Sequence, residues 1–260
     1  MLPKMVEIKE IIEESRDVKT FILDAPWLRG SIPGQFVMVW IPDAGERPMS
    51  LSSENSISVK RVGRFSSRLH ELEEGELIGI RGPYGRGFEI LDGPSLLISG
   101  GMGVAPLSFL AEKLDDFVAL IGAKSRDEIV LLRKFSKGET LISTEDGSEG
   151  IRGVVTDLLR EVDPKEFSSI YACGPDGMLR KILDIAKELN ILERLQLSVE
   201  RYFKCGIGVC GSCVLDPSGV RVCREGPVFR GDEIFESEIG RYRRDASGRR
   251  IWYGGDSKRI

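Results

Sequence analysis

The sequence predicts a multidomain protein of the β plus α/β class, with an antiparallel β-barrel, a parallel α/β domain and a small cysteine-bearing module. Three observations carry this prediction: short β-type segments come first, strands and helices alternate after them, and four of the five cysteines then crowd together. The predicted boundaries are residues 1–93 for the barrel, 94–200 for the α/β domain, 201–235 for the cysteine module and 236–260 for a basic tail.

Composition and charge exclude several classes of protein. Apolar residues make up 41% of the 260-residue chain and charged residues 30%, as is typical of a globular protein. The net charge is −4, and an excess of +5 in residues 239–260 leaves about −9 elsewhere, which argues against nucleic-acid binding. Without an apolar run of roughly 18 residues or a signal-peptide pattern, we expect a cytoplasmic protein that does not bind a membrane. Asn and Gln together number four, a bias typical of thermophiles.

The first part of the chain predicts five short strands separated by turns rich in Pro, Gly and Asp. The lack of a long helical pattern favours a small antiparallel barrel. The predicted strands cover residues 6–12, 18–23, 35–41, 56–62 and 77–81.

From Pro94 onward the pattern predicts alternating strands and helices, and therefore a parallel sheet. In such sheets, ligands bind outside the carboxyl ends of the strands. The predicted strands cover residues 95–99, 118–122, 140–144, 169–173 and 196–199. The first predicted helix begins after Ala105, and three further helices are predicted over residues 127–135, 155–162 and 177–189.

Cys205, Cys210, Cys213 and Cys223 are separated by four, two and nine residues. In a cytosolic chain such a group binds metal more often than it forms disulfides. The first three match the plant-type spacing for a 2Fe-2S cluster, and the intervening glycines let the loop wrap closely around it. A structural zinc site and four unliganded buried thiols are the alternatives. Cys173 stands apart, and its simplest interpretation is a small residue at a strand end.

Two glycine-rich loops lie where predicted strands lead into helices. Gly101 and Gly103 follow the first strand of the α/β domain, and Cys173, Gly174 and Pro175 end the fourth. Glycine lets a pyrophosphate approach the backbone, and a helix N-terminus attracts the anion. Either loop alone is common in α/β proteins, but two at adjacent strand ends favour a dinucleotide site.

Three segments of the barrel half combine arginine with glycine or a hydroxyl side chain. Arg47 begins the sequence Arg-Pro-Met-Ser, in which the guanidinium could bind a phosphate and the Ser50 hydroxyl could hydrogen-bond a flavin. The others are residues 63–68 and 82–88. Each segment alone is also compatible with a surface turn.

Taken in order, these motifs resemble the ferredoxin-reductase superfamily with an added 2Fe-2S module. They are Arg-Pro-x-Ser at 47–50, Gly-Pro-x-Gly-x-Gly-Phe at 82–88, Gly-Gly-x-Gly-x-x-Pro-Leu at 100–107, Cys-Gly-Pro at 173–175 and the cysteine group. More narrowly, the stretch from Cys205 to Phe229 resembles the electron-transfer subunits of type B dihydroorotate dehydrogenases. The resemblance covers residues 5–235, and the tail is expected to extend beyond the usual end of the family.

The resemblance implies three cofactors: FAD, NAD and a 2Fe-2S cluster. For FAD it implies Arg47, Pro48, Met49 and Ser50, the strand residues Val59, Lys60 and Arg61, and the pair Phe65 and Ser66. For NAD it implies Gly101, Gly103, Cys173, Gly174 and Pro175. For the cluster it implies Cys205, Cys210, Cys213 and Cys223 as ligands. The bulky Phe65 stands where the family usually has glycine, so contact with the pyrophosphate is expected from Ser66 and the neighbouring backbone.

The implied activity is electron transfer in pyrimidine (UMP) biosynthesis. A nicotinamide exchanges two electrons as hydride and a cluster exchanges one, so a flavin is needed between them. Electrons would pass from dihydroorotate through a partner subunit's FMN, the cluster and FAD to NAD⁺, within a heterotetramer. His70 is the only histidine, and no catalytic base is expected in this chain, because that base would belong to the FMN-containing catalytic subunit.

Other functions stay open on the sequence. The reductase subunit of a ferredoxin-dependent NADP oxidoreductase or of a hydrogenase has the same three parts, and a zinc-stabilised scaffold would have no turnover. The choice of nucleotide is also open. Lys124, Ser125 and Arg126 follow the second α/β strand, where basic side chains could meet the 2′-phosphate of NADP, whereas the resemblance favours NAD.

Overall fold

Six antiparallel strands close into a barrel in the order β1-β2-β5-β4-β3-β6 in the computed structural model, which describes residues 2–254. Apolar side chains that alternate along each strand fill the interior, because successive residues of a strand face opposite sides of the sheet. The strands are β1 (Lys4–Ser15), β2 (Val18–Leu23), β3 (Phe36–Ile41), β4 (Gly45–Ser53), β5 (Ser56–Lys60) and β6 (Leu77–Tyr84).

A short helix, α1 (Arg64–His70), packs against the barrel core through Phe65 and Leu69. Ser66 sets its start, because its Oγ accepts hydrogen bonds from the backbone NH of Val62 and Gly63 at 2.9 and 3.0 Å. These bonds satisfy donors that precede the first helical turn.

A seven-stranded sheet in the order β10-β9-β8-β7-β11-β12-β15 forms the second domain, and its first six strands are parallel. The order of the strands reverses between β7 and β11, where ligands bind in open α/β sheets. These six strands are β7 (Ser95–Gly100), β8 (Phe117–Ala123), β9 (Glu139–Thr144), β10 (Ile151–Arg152), β11 (Ser169–Cys173) and β12 (Leu195–Ser198). The helices of this domain are α2 (Val104–Ala111) and α3 (Asp176–Glu188).

The cysteine module shares the sheet and core of the α/β domain. It contains a hairpin of β13 (Val214–Leu215) and β14 (Val220–Arg221), then β15 (Val228–Arg230) and α4 (Gly231–Ile234). β15 pairs antiparallel with β12, and one continuous apolar cluster includes residues of β12, the module and α3. The predicted boundary at residues 200 and 201 therefore lies inside one packed unit.

The tail folds back on its own chain as far as the structure describes it. β16 (Tyr242–Arg244) and β17 (Arg250–Trp252) form a hairpin. The carboxylate of Asp216 in the cysteine module accepts hydrogen bonds from Tyr242, Arg244 and Arg250. The described part of the basic tail thus packs on the cysteine module, and residues 255–260 lie outside the described part of the chain.

The predicted fold class is confirmed, while several elements differ from prediction. β4 is a strand that the sequence does not predict, because proline is unusual within a strand and β4 contains Pro48. The helix predicted over residues 127–135 is wrong: two short 3₁₀ turns occupy this stretch, and Leu131 between them has a left-handed φ of 62°. Residues 155–160 form a 3₁₀ helix instead of the predicted α-helix. Among the helices of residues 2–254, none has the length and apolar character that crossing a bilayer requires.

Candidate functional site

The loop that carries the cysteines directs backbone NH groups at their sulfur atoms. Gly206, Gly208 and Gly211 have φ angles of 71°, 80° and 70°, a region that favours glycine. In this conformation Gly208 donates to the Sγ of Cys223 at 3.1 Å. NH groups that point at sulfur favour its thiolate form, which is the form that binds metal.

The four thiols form two contacting pairs. Cys205 lies against Cys210, and Cys213 lies against Cys223. Within residues 2–254, no three Cys, His, Asp or Glu side chains are grouped closely enough to share one metal ion. A zinc site needs three or four ligands around one ion, whereas each iron of a 2Fe-2S cluster takes two protein ligands. The paired arrangement therefore fits a 2Fe-2S cluster, in which each iron takes two cysteines.

The pKa values of the cysteines differ with their surroundings. Burial raises the pKa of Cys205, but the backbone NH groups of Ile207, Cys210 and Val209 outweigh it and lower the pKa to about 6. Burial and the neighbouring Cys213 raise the pKa of Cys223 to about 12. The NH groups around Cys205 thus favour its thiolate, the form that binds iron.

The cysteine loop rests on the barrel next to β4. Arg81 of β6 donates to the backbone carbonyl of Cys205 at 3.2 Å and to both carboxylate oxygens of Glu46 on β4, at 2.8 and 2.6 Å. A Cβ on Gly206 would lie 2.8 Å from Met38 of β3, so glycine is needed for this close approach. Three buried or half-buried aromatic rings pack together close to this contact. The ring centroid of Phe36 lies 4.8 Å from that of Phe203 and 5.9 Å from that of Tyr84.

The Arg-Pro-x-Ser motif lies on β4 itself. Arg47 is exposed, and its guanidinium lies 6.0 Å from the ring centroid of Phe65 at the start of α1. Phe65 is 7% exposed, and its side chain packs into the barrel core. The backbone amides of the first turn of α1 have no partner inside the helix. Arg47 and these amides are the groups at this place that could hold a pyrophosphate.

The remaining flavin residues predicted from the sequence have partners of their own. Val59 is buried in the barrel, Lys60 pairs with Glu128 at 2.9 Å, and Arg61 pairs with Asp17 at 3.0 Å. The Ser66 hydroxyl accepts hydrogen bonds from the backbone NH groups of Val62 and Gly63 at the start of α1. Pro48 and Ser50 share one face of β4, and Met49 packs towards the barrel interior. Direct contact between FAD and these side chains stays a prediction.

The two glycine-rich loops meet at the carboxyl ends of β7 and β11. A Cβ on Gly103 would lie 2.0 Å from the carbonyl oxygen of Cys173, so only glycine permits this contact. A Cβ on Gly174 would lie 2.5 Å from Met178 and 3.1 Å from the backbone of Gly100. Gly101 has open space around it, and it has a φ of 52°. The predicted nucleotide residues Gly101, Gly103, Cys173, Gly174 and Pro175 are thus brought together in a cradle that fits a pyrophosphate.

Helix α2, which follows the first of these loops, packs on β4. The Ser108 hydroxyl lies 3.4 Å from the carbonyl oxygen of Ser52, and Lys134 donates to the same carbonyl at 2.7 Å. β4 therefore contacts the helix that follows the nucleotide loop, and it is linked to the cysteine loop through Arg81.

Cys173 differs from the clustered cysteines. Burial raises the pKa of its thiol to about 12, although a hydrogen bond with Ser198 opposes the shift. The thiol stays protonated at neutral pH and is a poor nucleophile.

An apolar surface surrounds the outer side of the cysteine loop. Val209 is 78% exposed, Ile207 is 40% exposed, and Cys210 is also exposed. An adjacent open cleft of about 430 Å³ reaches Cys223, and its lining includes Arg86 and Arg224. Exposed apolar residues beside a basic rim are typical of a protein-binding surface.

Sequence reasoning missed the residues that join the three motifs. Arg81 lies 124 residues from Cys205 and 35 from Glu46, so no motif spacing connects them. Phe203, two residues before Cys205, was the one local signal available, because a buried aromatic side chain there packs against Phe36 of the barrel.

Comparisons with known proteins agree with this arrangement. Residues 200–235 match the family described as the iron-sulfur cluster binding domain of dihydroorotate dehydrogenase B. A protein of Methanocella arvoryzae is 48% identical over 96% of this chain and 99% of its own length. One of Methanocaldococcus jannaschii is 46% identical over the same shares of the two chains. Both are named probable electron transfer subunits of dihydroorotate dehydrogenase B (NAD(+)).

Solved structures share the fold. A structure named as an NADH-dependent reduced ferredoxin-NADP oxidoreductase has a TM-score of 0.80 and 28% identity, covering 91% of each chain. The FAD/NAD-binding domain of a Vibrio cholerae nitric oxide dioxygenase has a TM-score of 0.65 at 21% identity and covers 77% of this chain and 99% of that one.

The relatives also correct one expectation about the tail. A match over 96% of the chain includes more than half of residues 236–260, so the idea that the tail extends beyond the family is wrong. The resemblance inferred from the motifs is confirmed over nearly the whole chain, at identities that define a family. The chain belongs to the family of electron transfer subunits of dihydroorotate dehydrogenase B.

Proposed function

We propose that the chain connects an FMN-containing dihydroorotate dehydrogenase catalytic subunit to NAD, in pyrimidine (UMP) biosynthesis. Its cofactors are FAD, NAD and a 2Fe-2S cluster, and its assembly with the catalytic subunit is a heterotetramer. The names of its relatives support the partner and the nucleotide.

One observation carries the proposal: β4 is linked at its start to the cysteine loop and near its end to the helix that follows the nucleotide loop. At its start, Glu46 is joined through Arg81 to the carbonyl of Cys205. Near its end, Ser52 contacts Ser108 of α2, the helix that follows the nucleotide loop. The flavin motif lies on β4 between these two contacts. A flavin held there is within reach of both redox partners, as an electron-transfer subunit requires.

Each group of residues has a defined task. When bound, the flavin links the two-electron chemistry of a nicotinamide to the one-electron chemistry of a cluster. Arg47 and the first amides of α1 hold the FAD phosphates, and the Gly101–Gly103 and Cys173–Pro175 loops hold the dinucleotide. Cys205, Cys210, Cys213 and Cys223 would hold the cluster, which would supply one-electron transfer.

The catalytic base for dihydroorotate belongs to the partner. His70, the only histidine, is 8% exposed and its Nε2 donates to the carbonyl oxygen of Val59 at 2.8 Å. His70 is therefore a structural residue of the barrel and not the base for dihydroorotate. The partner is expected to cover the apolar surface around Val209, since a cluster exchanges electrons with another protein only where that protein approaches closely.

The purified chain tests this proposal. With NADH it should reduce an artificial dye, and it should leave dihydroorotate untouched. Co-expression with an FMN-containing catalytic subunit should give dihydroorotate-dependent reduction of NAD⁺. Oxidation of dihydroorotate by the single chain would overturn the proposal, because the base would then have to be in this chain.

A reductase subunit of a ferredoxin-NADP oxidoreductase is the second candidate, and the similarity to a solved structure of that name favours it. The loop after β8 supports NAD instead. Arg126 lies 3.7 Å from Glu149, and the backbone NH groups of Glu145 and Asp146 hydrogen-bond to the start of this loop. Glu149, which pairs with Arg126, would compete with a 2′-phosphate for this guanidinium. A higher kcat/KM for NADPH than for NADH would favour the second candidate.

A further inference from the structure

A buried ion network joins the two redox modules at a place that the electron path does not use. Arg201 follows β12, and its side chain is only 3% exposed. Its Nη1 donates to both carboxylate oxygens of Asp176 at 3.0 Å, and its Nε donates to Glu238 at 3.0 Å. The carboxylates of Asp176 and Glu238 are 8% and 3% exposed, so the whole triad is shielded from water.

Each end of the triad is attached to a different module. Asp176 is the first residue of α3 and directly follows the nucleotide loop that ends at Pro175. Glu238 exchanges two hydrogen bonds with Asp216: its Oε2 accepts from the Asp216 NH at 2.6 Å, and its NH donates to the Asp216 carbonyl at 3.1 Å. Asp216 directly follows β13, which begins one residue after Cys213.

The described tail completes the network. Arg244 and Arg250 pair with Asp216, so three carboxylates are matched by three guanidinium groups. The hydroxyl of Tyr253 donates to Asp176 at 3.1 Å, which ties the end of the tail hairpin to the nucleotide side. Burying a charged triad is costly, and replacing it with apolar residues is often neutral or stabilising, so stability alone does not account for it.

We propose that Arg201 is a positioning residue that transmits occupation of the nucleotide loop to the cluster hairpin, residues 213–223. This inference rests on the proposed function, because it takes the Cys173–Pro175 loop as the nicotinamide-nucleotide site. A nucleotide that immobilises this loop also immobilises Asp176. Arg201 and Glu238 transmit this restraint from Asp176 to Asp216. The hydrogen bond of the Asp216 amide then opens less often.

The test uses hydrogen–deuterium exchange of the Asp216 amide in the oxidised chain with its cofactors bound. Saturating NAD⁺ is the probe, because no electrons are available to transfer in this state. In the wild type, NAD⁺ should slow this exchange roughly fivefold, which is the lower end of the coupling factors that are typical between two binding sites. Binding of NAD⁺ is measured separately by calorimetry.

Two variants remove the link in different ways. Arg201→Lys keeps the charge but lacks the planar fork that reaches two carboxylates. The triple variant Asp176→Asn, Arg201→Met, Glu238→Gln removes all three charges and leaves no unpaired buried carboxylate, which protects the fold. In both, saturating NAD⁺ should no longer slow exchange at Asp216.

Arg180→Lys is the matched control. Arg180 also joins α3 to the C-terminal part of the chain, through the carbonyl of Phe235 at 2.8 Å, but it does not contact Glu238. This variant should keep the wild-type slowing. Slowing that persists in the Arg201 variants would overturn the inference, as would saturable NAD⁺ binding without slowing in the wild type. Absence of NAD⁺ binding to the wild type would overturn the proposed function and this inference with it.

Discussion

The sulfur atoms of the five cysteines lie in different surroundings, and these surroundings decide what each can do. The Cys205 thiol receives NH groups and has a pKa lowered to about 6, whereas burial raises the pKa of the Cys173 thiol to about 12. The same side chain is thus a ready metal ligand at one position and an inert thiol at the other.

Replacing any one of the clustered cysteines with serine is expected to abolish the cluster or reduce it severely. Each thiolate supplies one iron bond, and the remaining Cys and His of the sequence, Cys173 and His70, lie on β11 and α1. FAD should stay bound, because its motif lies in the barrel. Iron and sulfide analysis of the Cys205→Ser, Cys210→Ser, Cys213→Ser and Cys223→Ser variants is the measurement.

Cys173→Ser is the control for this series and should keep wild-type iron content. A clustered cysteine whose replacement leaves iron and sulfide at the wild-type level would not be a ligand.

His70 is expected to make the protein less stable in acid. Burial lowers its pKa below the ordinary value of 6.5, so unfolding takes up a proton as the pH falls through that range. The stability that neutral His70 provides is present above about pH 6.5 and is lost below it. In His70→Gln, whose amide can still donate to the Val59 carbonyl, the melting temperature should fall less between pH 7 and pH 5. Equal slopes for the two proteins would exclude this role of His70.

Contact between two loops shapes the nucleotide cradle at the level of elements. The turn after β7 and the turn after β11 touch where Gly103 meets the carbonyl of Cys173. Neither turn could approach the other with a side chain at this position, so the cradle depends on one missing Cβ.

Gly103→Ala should therefore destabilise the protein by roughly 1–3 kcal/mol and weaken NAD⁺ binding, because a Cβ there would lie 2.0 Å from the Cys173 carbonyl oxygen. Thermal melting and calorimetric titration measure the two effects. Gly177→Ala is the matched control: no atom lies within 4 Å of its Cβ position in α3, and alanine favours the helix. Wild-type NAD⁺ affinity in Gly103→Ala would contradict the described role of this contact.

Element prediction from the sequence succeeded where periodicity decided the structure. The parallel strands of the α/β domain are short, largely apolar runs. All five strands predicted there match within one residue at either end, and only the two-residue β10 was not predicted. β4 was missed because its pairing with β3 and β5, not its own residues, makes it a strand despite Pro48. The helix over residues 127–135 was wrong because the left-handed Leu131 interrupts it, and apolar spacing does not reveal φ.

Site prediction had a similar limit. The cysteines and glycine loops were found because their chemistry requires residues close together in sequence. Arg81 and Arg201 were not found, because each acts between segments that are far apart in sequence and meet only in the folded chain.

In the molecule as a whole, charge and apolar surface are distributed unevenly. The chain is acidic overall, yet the surface beside the cysteine loop combines exposed Ile207 and Val209 with Arg86 and Arg224. An acidic rim around an apolar patch on the catalytic subunit would complement it.

Val209→Ser should weaken binding of the catalytic subunit by about 1–2 kcal/mol, or roughly tenfold in Kd, because apolar area is no longer buried there. The cluster should be retained, since Val209 contributes only its backbone NH to Cys205. Calorimetric titration of the two subunits is the measurement. Ile151→Ser, at the opposite edge of the sheet and 45% exposed, is the control and should bind like the wild type. An unchanged Kd in Val209→Ser would place the interface elsewhere.

The pairing of β15 with β12 has a consequence for how the protein is made. A ribosome releases the chain from its N-terminus, so β12 has been synthesised about thirty residues before β15 follows it. Until then β12 is an unpaired edge that could join another chain. The last strand of the nucleotide sheet comes from the cysteine module, so the sheet is completed only after all four clustered cysteines have been synthesised.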